Sequence, residues 1–145
     1  MTILLDTNIL LRISQPHTAH ARIADRALDA LRTGNEALHI VSQNLVEFWA
    51  VATRPATDNG LGLTVEQAMG QVHALKRLFV LLPEIPLQGE WERLVTAYRV
   101  SGRNSHDARL VAAMMVHGTR SILTFNVQDF TRYAGITVLD PRLVV

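Results

Sequence analysis

Short apolar runs and longer helical stripes alternate along this chain. Thr2 to Leu5 is apolar, begins almost at the N-terminus, and is too short for a helix, which predicts a buried strand. After Asp6 a brief helix is predicted over Asn8 to Ile13, interrupted by Pro16. Thr18 then caps a helix with the apolar stripe Ala24, Ala27, Leu28 and Leu31, and Gly34 sits past its end. Leu38 to Val41 reads as a second buried strand. The helix that follows, Gln43 to Thr53, is apolar on nearly every side and carries Phe48 and Trp49, so burial is expected; Glu47 is its only acid.

Arg54 to Gly62 is a loop by its Pro, Asn, Asp and Gly content. Thr64-x-x-Gln67 has the form of a capping box, opening a helix whose inner face is Val65, Ala68, Met69, Val72, Leu75 and Phe79. Val80 to Leu82, ended by Pro83, is expected at a sheet edge, where proline is tolerated. Leu87, Trp91, Leu94, Val95 and Tyr98 mark another amphipathic helix, closed at Gly102. A further helix runs from about His106 to His117, before Gly118. A strand at Ile122 to Thr124, a helical turn at Val127 to Tyr133 and a last strand at Thr137 to Leu139 complete the chain.

Strands separated by helices imply an α/β fold with a parallel sheet flanked by helices, because parallel neighbours need crossover connections. That topology places every strand-to-helix junction at the carboxyl edge of the sheet. Asp6 follows the first strand, Glu47 lies in the first turns after the second, Asp107 is in the first turn of the helix leading into the Ile122 strand, and Asp129 follows that strand. All four acids are therefore expected along one edge, where open α/β sheets bind ligands at the point of strand-order reversal.

Composition narrows the function. At 145 residues, 48% hydrophobic and 19% charged, the chain fits one domain over 1–145 with a packed core. A formal charge of +1 provides no broad basic field, so contact with nucleic acid must be local. Zero cysteines exclude disulfides and thiolate metal sites and fit a reducing cytoplasm. The first apolar run is cut short by Asp6 and no segment reaches the roughly 18 apolar residues of a membrane span, so neither signal peptide nor membrane association is expected.

Acids gathered without compensating Arg or Lys repel one another, and a divalent cation relieves the repulsion. Oxygen-only ligands favour Mg²⁺ or Mn²⁺, whose chemistry on water and phosphate is phosphodiester hydrolysis. Each acid also has an ordinary structural explanation. Asn44-x-x-Glu47 and Asn126-x-x-Asp129 resemble capping boxes, Asp107 suits the positive end of a helix, and Asp6 could end a strand. Their shared edge is the argument for the cation. His17 and His20 lie one turn apart without a third ligand, His106 could meet a substrate phosphate, and Trp49 and Trp91 fall on core-facing stripes.

The chain resembles the PIN-domain nucleases, and among them the VapC-type toxins of bacterial toxin–antitoxin pairs. The likeness runs from Ile3 to about Pro141 and rests on Leu5-Asp6-Thr7-Asn8, Ser42-Gln43-Asn44-Leu45-Val46-Glu47-Phe48, His106-Asp107-Ala108-Arg109-Leu110-Val111-Ala112-Ala113, and Ile122-Leu123-Thr124-Phe125-Asn126-x-x-Asp129-Phe130. It implies a three-layer α/β/α fold, Mg²⁺- or Mn²⁺-dependent endoribonuclease activity, homodimerisation and a cognate antitoxin. Asp6, Glu47 and Asp107 match the three core family acids. Asn126 stands where some relatives carry an acid; Asp129 is taken as the fourth ligand, with Asn126 bridging through water. Thr7, Asn8 and Thr124 match small polar residues that orient the pocket.

Three rivals were weighed. A haloacid-dehalogenase-like phosphatase needs a second Asp two residues after the first, where this chain has Asn8. PIN-like DNA nucleases carry added elements for which this chain has no room. An inactive PIN-like binding module tends to lose an acid, and all the core positions are filled here. Arg12, Arg54, Arg99, Arg103 and Arg132 are the candidate RNA contacts.

Overall fold

Period-two alternation sorts the strand residues into two sets, and the computed structural model, which describes residues 1–145, follows it. In β1 (Thr2–Leu5), Ile3 and Leu5 join one hydrophobic cluster and Leu4 joins the other. β2 (Ala37–Ile40), β3 (Val80–Leu81), β4 (Ser121–Leu123) and β5 (Thr137–Leu139) complete a five-stranded sheet of order β3-β2-β1-β4-β5. Every neighbouring pair is parallel; Ile3 aligns with Leu38 on one side and Ser121 on the other.

Ile3, Leu5, Leu38, Ile40 and Leu123 pack with α1 (Thr7–Ile13), α2 (Ala19–Thr33), α3 (Ser42–Ala52) and α4 (Val65–Leu78), whose contributions include Leu10, Leu28, Phe48 and Leu75. On the opposite face Leu4 and Ile122 meet α5 (Gln88–Ala97) and α6 (Asn104–His117). The architecture is three-layer α/β/α around a parallel sheet. Leu110, Val111, Ala112, Ala113 and Met114 are all buried, and each large side chain contributes roughly 1.5–3 kcal/mol by leaving water. Gly118 ends α6 in the left-handed conformation (φ 71°), donating to the Met114 and Met115 carbonyls.

Several boundaries differ from the sequence reading. α6 starts at Asn104, two residues before His106, and the expected helical turn from Val127 to Tyr133 is a 3₁₀ turn over Val127–Asp129 only. The chain leaving β4 is already tied to side chains, since the Asn126 amide donates to Thr124 Oγ1 (2.9 Å) and the Phe125 amide to Asn8 Oδ1 (3.3 Å). α4 buries Ala68 and Leu75, and Phe79 follows as its buried C-cap, but Val65 and Met69 are 59% and 42% exposed and leave the inner face. Met69 instead lines, with Leu45, Val46, Trp49 and Val72, a shallow apolar cleft of about 270 Å³. No helix is long and apolar enough to cross a membrane.

Candidate functional site

β1 and β4 are adjacent although the chain leaves β1 toward β2, so the strand order reverses between them. Asp6 emerges at that point. It is the N-cap of α1, in extended conformation, with Oδ1 accepting from the Thr7 amide at 2.7 Å. It is also only 7% exposed. Its Oδ2 accepts from the Thr124 hydroxyl at 2.7 Å, and that hydroxyl in turn accepts from Asn8 Nδ2 (3.2 Å) and the Asn126 amide (2.9 Å). One donor and two acceptors use the full capacity of the Thr124 hydroxyl, which fixes its proton toward Asp6.

Glu47 is held by a second network. Thr7 Oγ1 donates to Oε1 at 2.6 Å and Gln43 Nε2 to Oε2 at 3.0 Å. Asn44, fully buried, donates to Thr7 Oγ1 (3.2 Å) and the Leu5 carbonyl (3.0 Å) and accepts from the Val41 amide (2.8 Å). The α3 start is thus closed by Asn44, not by Glu47, and the capping reading of Asn44-x-x-Glu47 does not hold. Nor does that of Asn126-x-x-Asp129, where only the two backbones are bonded (3.0 Å) and no side chain caps the turn. Asp107 does lie in the first turn of α6, where the helix dipole favours it.

The four acids share one electrostatic field. Burial pushes the Asp6 carboxyl up from an ordinary 3.8 to about 6; the Thr124 and Thr7 hydrogen bonds pull it back, while Glu47 and Asp129 add to the rise. Asp107 is pushed up to about 7 by burial, then by the charges of Asp6, Asp129 and Glu47, with Arg103 opposing. Arg103 is therefore a partial compensating cation that the sequence reading did not assign. No three of the acids or histidines stand close enough together to form a ready-made cation site. Both oxygens of Asp6 and of Glu47 are instead engaged by hydrogen bonds within the protein.

Thr7, Asn8 and Thr124 all join these networks. Asn126 is exposed and takes part through its backbone amide, whereas Asp129 is half-buried and adds its charge to the field. His17 and His20 are exposed, the latter meeting the Phe125 ring edge-on at 5.3 Å. His106 is exposed, and its carbonyl accepts from Gln43 Nε2 at 2.8 Å. Trp49 packs against the core, and Trp91 donates from Nε1 to the Ser105 carbonyl (2.8 Å). The sequence reading gave no role to Gln43 and saw Asn44 only as the start of a capping box. The four-residue spacing of Gln43 and Glu47 on one helix face was the available signal for the first.

The chain was then compared with known proteins. No curated protein matches it. Among solved structures, a chain of VapBC2 from Rickettsia felis bound to a DNA fragment from its promoter superposes with a TM-score of 0.73 at 16% identity, covering 97% of this chain and 98% of that one. A chain of VapBC-1 from nontypeable Haemophilus influenzae gives 0.67 at 20%, with the same coverage. A chain of FitAcB from Neisseria gonorrhoeae gives 0.63 at 19%, covering 96% and 97%. Such identities establish the fold alone. The PIN domain family itself matches residues 3–136, nearly the whole length. By that match, the chain belongs to the PIN domain family.

Proposed function

We propose that this chain is a Mg²⁺- or Mn²⁺-dependent endoribonuclease, the toxin of a type II toxin–antitoxin pair, acting as one domain of residues 1–145. Family membership supports nuclease activity in general. The observation that carries the finer reading is the gathering of Asp6, Glu47, Asp107 and Asp129 at the switch point, where burial and then neighbouring acids make Asp6 and Asp107 harder to ionise.

The residues fit a divalent cation. Every donor is a carboxylate oxygen, the carboxyls of Asp6 and Asp107 are raised by burial and further by neighbouring acids, and each bonded oxygen keeps a second lone pair. Asp6, Glu47, Asp107 and Asp129 would hold the ion. When bound, it offsets charge on a phosphodiester and acidifies water. The chain's own part is to hold these acids in place. Thr124 fixes the Asp6 carboxylate through Oδ2, Thr7 fixes Glu47 through Oε1, and Asn8 locks the Thr124 hydroxyl. Arg103, already near Asp107, is suited to a substrate phosphate, as are the unpaired Arg12, Arg54, Arg99 and Arg132.

The solved relatives include VapBC assemblies, which supports a cognate antitoxin for this chain too, and a homodimer is proposed with it on the resemblance to VapC-type toxins alone. Cleavage of RNA by the purified protein is expected to require Mg²⁺ or Mn²⁺, to stop in EDTA, and to fall at least about a hundredfold in Asp6→Asn and Asp107→Asn with the fold retained by circular dichroism. Full activity in chelator, or in both variants, sinks the reading.

A further inference from the structure

One buried amide joins an acid, the backbone just ahead of a second acid, and a cation. Gln43 is 8% exposed, and its side chain makes three hydrogen bonds: Nε2 donates to Glu47 Oε2 (3.0 Å) and to the His106 carbonyl (2.8 Å), while Oε1 accepts from Arg109 Nη1 (3.0 Å). Only one amide orientation satisfies this. A guanidinium can only donate, and a carboxylate and a carbonyl can only accept, so the oxygen must face Arg109 and the nitrogen must face the other two. The His106 carbonyl belongs to the peptide that leads into Asp107. Gln43 therefore sets Glu47 on α3 against Asp107 on α6, and Arg109, two residues further along α6, sets Gln43.

We propose that Gln43 and Arg109 are positioning residues, a clamp that presents Glu47 Oε2 at a fixed place beside Asp107 and thereby governs cation affinity. This rests on the reading of the acids as a cation site. Arg109 is otherwise exposed and lines a cavity of about 400 Å³ with Ser42, Leu82, Glu84 and His117. Its remaining donors are thus open to solvent and do not explain a bond to a buried glutamine.

Electrostatics and positioning make opposite forecasts here. Removing the Arg109 cation takes away a positive charge bonded to Gln43, which is itself bonded to Glu47, and by charge alone that would tighten binding of a divalent cation. If the guanidinium acts by holding Gln43, its removal weakens binding instead.

The test titrates Mn²⁺ alone into the metal-free protein by calorimetry, and separately measures kcat and KM for RNA. Gln43→Met and Arg109→Met are each expected to weaken Mn²⁺ binding about tenfold and to lower kcat, with Arg109→Lys restoring most of the affinity. The Gln43 side-chain amide protons are expected to exchange slowly in wild type and fast in Arg109→Met, by NMR without metal. Tighter or unchanged Mn²⁺ binding in Arg109→Met overturns the clamp, as does a change in KM alone, which would make Arg109 a phosphate contact. Fast amide exchange in wild type also overturns it. Failure of the nuclease reading looks different, because the wild-type protein would then neither bind Mn²⁺ nor cut RNA while the amide stays protected.

Discussion

Asn126 and Asp129 leave the same strand three residues apart and meet different surroundings. The Asn126 side chain is exposed and its residue acts through the backbone, while the Asp129 carboxylate is half-buried and raises the pKa of both Asp6 and Asp107. A carboxylate brings a full charge to a cation and an amide only a dipole. Asp129→Ala is therefore expected to weaken Mn²⁺ binding by about tenfold or more, and Asn126→Ala by much less, in parallel titrations. The reverse order would leave a three-carboxylate site. At this scale the acids were legible in the sequence because an ionisable group inside an apolar run needs a reason to be there. The bonds that tie Gln43 to α6 and the role of Arg109 were not legible. A neutral amide carries no such signal, and two of its three partners, the His106 carbonyl and Arg109, come from a helix that only the fold brings near.

Among the elements, α4 begins as its sequence predicts. Thr64 Oγ1 accepts from the Gln67 amide (3.1 Å) and Gln67 Oε1 from the Thr64 amide (2.9 Å), so two donors at the open end of the helix are satisfied reciprocally. Thr64→Ala is expected to cost about 1 kcal/mol in urea denaturation without altering cation binding, since the Thr64 and Gln67 side chains bond only within the cap and neither contributes to the field at Asp6 or Asp107. An unchanged midpoint would show that the cap contributes nothing. Caps and strand alternation were readable because they are local. The exposure of Val65 and Met69 was not, because an apolar stripe says which face is greasy and leaves open how much of it a neighbouring helix covers. The early start of α6 was equally hidden, since its N-cap, Arg103, makes no side-chain cap bond that a motif could announce.

For the molecule as a whole, the acid cluster links stability to pH. Asp6 and Asp107 titrate higher in the folded state than the ordinary 3.8, at about 6 and about 7, so the folded state holds their protons more tightly than the unfolded chain does. Their contribution is full below pH about 4 and is lost as pH climbs through 6 and 7. For Asp6 the loss is on the order of 2–3 kcal/mol; for the half-buried Asp107, solvent screening leaves a smaller part. His39, held below its usual 6.5 by burial and by His117, works in the opposite direction, so the informative quantity is a difference. In EDTA, the melting temperature of wild type relative to Asp6→Asn is expected to fall between pH 5 and pH 8, and Mg²⁺ at pH 8 to recover it in wild type alone. Parallel pH profiles for the two proteins would refute the linkage.

The strand order has a consequence for synthesis. β1 lies at the centre of the sheet, yet one of its two partners, β4, is made only after β2 and β3, with Leu5 aligned to Leu123. Asp6, Glu47, Asp107 and Asp129 are spread over the same interval. A growing chain on the ribosome can pair β1 with β2 early, but it cannot bring the four acids together until β4 has emerged. Truncated products of interrupted translation therefore lack the cluster. For the toxin proposed above, harm to the cell that makes it could begin only once β4 had emerged, which is also when an antitoxin could first meet the assembled acids.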